Sequence, residues 1–157
     1  MSGSVDSSKV AASKVVAGKV ADSRILDTHV WVWLMDGDPL LSSQLVGELE
    51  DAAEAGRLYV SAASLWEIAA MERLGRIRLS VPIDAWLREA TTTPGLVVYP
   101  IDGDVAVDGA RLPGAFPGDP VDRIIVATAR TLGGALVTAD PRLHEYAQSG
   151  HVALRAV

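Results

Sequence analysis

The sequence has 157 residues, of which 49% are hydrophobic, with a mean hydropathy of +0.24 and a net charge of −6. That length suits one domain with one core. No apolar run approaches the roughly 20 residues needed to span a bilayer, and the absence of cysteine excludes disulfides, thiol catalysis and zinc–thiolate sites. All three lysines precede residue 20, so from Arg24 onward 11 arginines face 18 acids (20 in all, less Asp6 and Asp22). Such a balance disfavours generic phosphate binding unless the acids cluster and are neutralised by cations. A high apolar share in an acidic domain also predicts elements buried on both faces, or an apolar surface that a partner covers.

Residues 1–23 are rich in Ser, Ala, Val, Gly and Lys, and the tripeptide SKV occurs at Ser8–Val10 and again at Ser13–Val15. They read as a flexible or partner-dependent tail ahead of a domain over 24–157. Lys9, Lys14 and Lys19 interrupt any export-signal core, which leaves the cytoplasm as the expected compartment. From Arg24 the pattern alternates. A short strand Arg24–Leu26 ends at Asp27, a helix covers Thr28–Met35, and a second helix capped by Ser42 or Ser43 runs to Ala55 before Gly56. Strand Leu58–Val60 leads into helix Ser61–Leu74, and Val81-Pro82 into helix Ile83–Thr91. Strand Leu96–Tyr99 precedes a helix from Asp102 to about Arg111. Leu112–Pro120 is a loop with three prolines and two glycines. The apolar helix Val121–Leu132, strand Ala135–Thr138, helix Pro141–Gln148 and a last short strand Val152–Leu154 complete the chain. Short apolar strands separated by helices predict right-handed βαβ units: a small, mainly parallel sheet covered on both faces, a three-layer α/β/α sandwich.

In such sheets ligands bind beyond the carboxyl ends of the strands, and four segments bring carboxylates there. Asp27 follows the first strand, Glu67 lies about a turn into the helix after the second, Asp119 and Asp122 open the long apolar helix, and Asp140 follows the fourth strand. Glu67 has small neighbours one turn away in Ala63, Ser64 and Ala70, and a buried glutamate needs a cation to offset it. Capping explains part of the pattern: Asp119-Pro120 and Asp140-Pro141 both read as an N-cap Asp followed by Pro, and the same dipeptide at Asp38-Pro39 has no catalytic role to play. Capping does not, however, predict a shared edge. Clustered carboxylates suit a hard divalent cation, Mg²⁺ or Mn²⁺, and the chemistry such ions serve best is phosphodiester hydrolysis.

At these same residues the chain resembles the VapC-like branch of the PIN-domain family. The matching stretches are ILDTHVWVWL (Ile25–Leu34), LYVSAASLWEIAAMERLGRI (Leu58–Ile77), DPVDRIIVATA (Asp119–Ala129) and LVTADPRL (Leu136–Leu143). The resemblance implies a PIN-like, Rossmann-like α/β/α fold, a Mg²⁺ or Mn²⁺ site and a homodimer. It also implies an endoribonuclease toxin, acting on RNA and blocked by a cognate antitoxin. The catalytic and metal-holding acids it implies are Asp27, Glu67, Asp122 and Asp140. Asp119 would support them, and Thr138 would position a water or the neighbouring acid. The chain departs from the branch in carrying Phe116-Pro117-Gly118 where a basic residue or His often stands.

Arg73, Arg76 and Arg78 read either as a solvated helix end or as contacts to RNA and antitoxin. Arg123 is placed to orient Asp122 or to pair with Asp119. The three histidines are expected at the surface, and Trp66 and Trp86 in packing. A receiver-like phosphoacceptor and P-loop chemistry both need a lysine that the domain lacks. Two other readings stay open: a catalytically silent PIN domain serving as a binding module, and a DNA-directed nuclease with the same metal site, since discrimination would rest on the 2′-hydroxyl and strand shape.

Overall fold

The structure, a computed structural model, describes residues 22–157. The tail expected over 1–23 therefore lies outside the described residues except for its last two. Asp22 pairs with Arg57 at 3.2 Å. Ser23 is fully buried and its carbonyl accepts from the Ala135 N–H.

In chain order the elements are β1 (Arg24–Leu26), α1 (Thr28–Asp36), α2 (Ser43–Glu54), β2 (Leu58–Ser61), α3 (Ala62–Arg73), α4 (Ile83–Thr91), β3 (Leu96–Tyr99), α5 (Gly103–Ala110), α6 (Pro120–Leu132), β4 (Ala135–Thr138), α7 (Pro141–Gln148) and β5 (Ala153–Ala156). The strands form one sheet in the order β3-β2-β1-β4-β5, and each neighbouring pair is parallel. The chain steps from β1 to β2 to β3 in one direction, then crosses back to lay β4 on the other side of β1. The reversal leaves a crevice at the carboxyl ends of β1 and β4, where an open α/β sheet binds its ligand.

Two cores follow from the period-2 alternation of the strands. Leu26, Leu58, Val60 and Val137 point to one face, under Val30, Trp31, Leu45, Leu49, Ile68 and Trp86 of α1 to α4. Ile25 and Leu136 point to the other, under Ile125, Val126 and Ala129 of α6 and Leu143 and Tyr146 of α7. Burial on both faces accounts for the high apolar share.

Most boundaries fall within one residue of the sequence expectation, and two differences have an evident physical reason. Ser61 closes β2 and caps α3, its hydroxyl accepting from the Ala63 N–H, because its backbone is still extended. The last strand is Ala153–Ala156 rather than Val152–Leu154. Val152 is buried just before the strand begins, and the pairing that sets the register runs from Ala135↔Ala153 to Thr138↔Ala156. An edge strand that contains Arg155 (its guanidinium held by Glu48 at 2.8 Å) carries little apolar signal to mark its end.

Candidate active site

Each acid is placed by ordinary local structure. Asp27 is the first residue beyond β1 and the N-cap of α1. It is 9% exposed; one carboxylate oxygen accepts from the Thr28 N–H at 2.8 Å and the other from the Thr138 hydroxyl at 2.6 Å. Thr138 ends β4, the strand beside β1, and its hydroxyl also accepts from the Asp140 N–H at 3.1 Å. One buried hydroxyl thus ties together the acids that follow two adjacent strands. Next to Asp27, the buried Thr28 and Ser64 hydroxyls lie 2.8 Å apart and join the start of α1 to the first turn of α3. This fixes the helix that carries Glu67.

Asp119 caps α6, accepting from the Asp122 N–H at 2.9 Å, while the Asp122 carboxylate reaches back to the Asp119 N–H at 3.2 Å. The pair forms a reciprocal capping box. Asp122 is held there by a close approach: a Cβ on Gly118 would lie 2.6 Å from the Asp122 Cβ and 2.8 Å from its carboxylate oxygen. Gly118 therefore belongs to the site through the side chain it lacks. Asp140 caps α7, accepting from the Arg142 N–H at 2.9 Å.

Asp27, Glu67, Asp119, Asp122 and Asp140 all line one cavity of about 670 Å³ at the carboxyl ends of β1 and β4. The four segments expected from sequence bring their acids to one cavity, and their capping roles do not keep them from it. Burial pushes the carboxyl of Asp27 above its ordinary range in spite of the two hydrogen bonds it accepts. Burial first, then the charges of Asp119 and Asp27, push Glu67 up as well. Asp122 is pushed up to about 7 by burial and then by the Asp119 charge, with Asp27 and Glu67 adding to it. Asp140 goes the other way: hydrogen bonds from the Arg142 guanidinium hold it below its ordinary value.

Three acids that resist ionisation beside one another are a donor set that a divalent cation would relieve, and the all-oxygen chemistry suits Mg²⁺ or Mn²⁺. On that ground the residues fit the ion. Yet among the described residues no three carboxylates or histidines stand close enough to hold one ion as they are arranged. The arrangement accounts for this, since Asp122 is turned to its own capping box and Asp140 to Arg142. Ion binding would require at least some of these side chains to turn inward.

The raised acids have a consequence for stability. Between the ordinary carboxylate range and about pH 7 the folded protein holds a proton on Asp122 that the unfolded chain has lost. Stability without a divalent ion should therefore fall as pH rises through that window. Asp27 and Glu67 act in the same direction. Thermal melts in a chelator at about pH 5 and about pH 8 should show a loss at the higher pH that is smaller in Asp122→Asn. A pH dependence identical in the two proteins would remove Asp122 from this account.

The other candidate residues part ways in the structure. Of the three arginines near the end of α3, Arg76 lines the cavity; Arg73 and Arg78 are exposed and do not. Arg123 neither orients Asp122 nor pairs with Asp119. Its guanidinium donates to the Gly109 carbonyl at 3.3 Å and sits 5.3 Å from the centre of the Phe116 ring, drawn there by the packing of α5 on α6. The arginine that meets the acids is Arg142, which the sequence reading passed over. Trp86 is buried as expected, but Trp66 is 68% exposed and stands on the cavity wall beside Trp33, His29 and Met71. Leu74, 56% exposed, extends that wall two turns along.

A model of the PIN domain matches residues 24–149, and the chain belongs to the PIN domain family. More particularly, it is 38% identical over 119 residues to Ribonuclease VapC22 of Mycobacterium tuberculosis, a match covering 76% of this chain and 88% of that protein. Among solved structures it is similar to VapBC2 from Rickettsia felis bound to a DNA fragment from their promoter (TM-score 0.62, 16% identity, covering 85% of this chain and 97% of that one). It is likewise similar to DNA-bound VapBC from Salmonella typhimurium (TM-score 0.62, 17% identity, covering 86% of this chain and 98% of that one). At such identities the structural likeness concerns the fold.

Proposed function

We propose that this chain is an endoribonuclease dependent on Mg²⁺ or Mn²⁺ and the toxin of a VapBC-type toxin–antitoxin pair. The observation that carries the reading is the meeting of Asp27, Glu67, Asp122 and Asp140 in one cavity at the switch point of the sheet. The relative named Ribonuclease VapC22 supports the reaction class, and the likeness to VapBC assemblies supports an antitoxin partner.

Asp27, Glu67, Asp122 and Asp140 would hold the ion. When bound, it supplies positive charge to draw in phosphate oxygens, activate water and stabilise the leaving oxygen of an in-line displacement. The rest falls to the chain. Thr138 fixes the rotamer of Asp27 and the backbone of Asp140, so two ligands are set by one hydroxyl. The capping box with Asp119 keeps Asp122 at the cavity. Glu67 brings its carboxylate to the cavity wall from α3, an element that supplies none of the other three acids. Arg76 on the rim meets the phosphates flanking the scissile one. RNA is the substrate class in this reading.

The apolar rim formed by Trp66 and Leu74 motivates the partner, because large exposed apolar groups at the mouth of a charged cavity mark a surface that is covered in use. In this reading an antitoxin segment lies across the rim, a second copy of the chain covers apolar surface elsewhere, and the protein acts in the cytoplasm. Among the described residues no helix is long and apolar enough to cross a membrane. Expression of the chain alone should slow growth, Asp27→Asn should be harmless, and the product of the neighbouring gene should restore growth. Absence of any growth defect, with no partner co-purifying from the native host, would overturn the toxin assignment. A silent binding module is the second reading, motivated by the absence among the described residues of three acids already close enough to hold one ion, and a cleavage assay separates the two.

A further inference from the structure

Arg142 is the second residue of α7 and reaches back over the acid edge. Its Nε lies 3.2 Å from one oxygen of Asp140 and a terminal nitrogen 2.8 Å from the other, a two-pronged contact with that carboxylate. The same terminal nitrogen stands 3.7 Å from a carboxylate oxygen of Asp122, and the other terminal nitrogen donates to the Pro117 carbonyl at 3.4 Å. Asp122 and Asp140 come from different elements, and both line the cavity with Asp27 and Glu67. The guanidinium bridges them with a side chain that is 56% exposed, free enough to swing.

We propose that Arg142 is a resident counter-ion of the acid cluster, competing with the divalent cation for Asp140 and Asp122 and passing to a substrate phosphate once the cation takes the carboxylates. This rests on the metal-dependent reading above. A divalent ion on the same carboxylate oxygens would sit within a few ångströms of the guanidinium that now engages both oxygens of Asp140, and repulsion between the two cations favours release of the fork from at least one acid. A planar fork freed from a carboxylate matches a phosphate diester equally well, since both offer paired anionic oxygens. The exchange neutralises the cluster before the ion arrives and keeps the cation-rich state for the moment when phosphate is present. It also explains why Asp140, alone among the ligand acids, has its carboxyl held low while the other three are pushed up.

The test is Mn²⁺ binding by calorimetry to the full chain without RNA, for wild type, Arg142→Gln and Arg142→Lys. Removing one partly exposed competitor should tighten Mn²⁺ binding about twofold to tenfold in Arg142→Gln. Arg142→Lys should fall between, because it keeps the charge and loses the fork. With Ca²⁺ holding the acids and cleavage suppressed, a single-stranded RNA should bind Arg142→Gln more weakly than wild type. A melt of each variant checks folding, and the exposure of the side chain makes a folded product the expected one. Unchanged or weaker Mn²⁺ affinity in Arg142→Gln overturns the counter-ion proposal while leaving the nuclease reading intact. Unchanged RNA affinity overturns the transfer to phosphate. No Mn²⁺ binding by any of the three proteins overturns the metal reading and this proposal with it.

Discussion

Glu67→Gln is expected to lower RNA cleavage by at least about a hundredfold, the scale of losing a group that acts on the proton or the developing charge. The fold should survive the change. Glu67 is half-buried on the wall formed by α3, and glutamine keeps its shape. Its carboxyl is already pushed up by burial and by the charges of Asp119 and Asp27, so removing the charge takes away repulsion rather than an ion pair. Melting temperature in a chelator should hold steady or rise. This combination of lost activity with kept or improved stability is the mark of a functional acid. A merely structural glutamate would give the reverse, and cleavage at the wild-type rate in Glu67→Gln would take Glu67 out of the site.

Thr138→Val should damage both stability and activity. The hydroxyl donates to Asp27 at 2.6 Å and accepts from the Asp140 N–H at 3.1 Å in a fully buried position. Valine fills the same space and supplies neither bond. Leaving polar groups there without partners costs about 1 to 3 kcal/mol. Freed from its orienting donor, Asp27 should hold the ion less well, with cleavage down about tenfold to a hundredfold, the usual effect of losing a group that supports a metal ligand. Thr138→Ser keeps the hydroxyl and should restore most of both losses. Wild-type cleavage in Thr138→Val would show that the hydrogen bond to Asp27 plays no part in the chemistry.

Much of this was legible in the sequence because the signals were local. Strands β1, β2 and β4 are short apolar runs that stop at a polar residue, and a parallel sheet buried on both faces needs just such runs. The aspartates before Pro120 and Pro141 announce helix starts, and a helix start beside a strand end is where the acids had to meet. What escaped the reading depends on distant parts of the chain. Arg142 follows Asp140-Pro141, a dipeptide fully explained by capping, and only the folded chain shows its guanidinium reaching Asp122. Arg123, one residue from Asp122 in sequence, is taken by the Gly109 carbonyl and the Phe116 ring, neither of which helical spacing reveals. Gly118 reads as one more loop glycine until the Asp122 side chain is seen against it. Trp66 reads as packing because tryptophan usually packs; in the structure it stands 68% exposed on the cavity wall. Arg73, Arg76 and Arg78 look alike in sequence, and the turn after α3 brings Arg76 to the cavity.

Cation-dependent hydrolysis of RNA is the reaction proposed for the carboxylates of this cavity. Its most direct test is incubation of the purified chain with total cellular RNA in Mg²⁺, in Mn²⁺ and in excess chelator, alongside Asp27→Asn. The account predicts discrete cleavage fragments with either ion, none in chelator, and none with Asp27→Asn under any condition. Cleavage that persists in chelator and in Asp27→Asn, or folded wild-type protein that leaves all RNA intact in both ions, would contradict it.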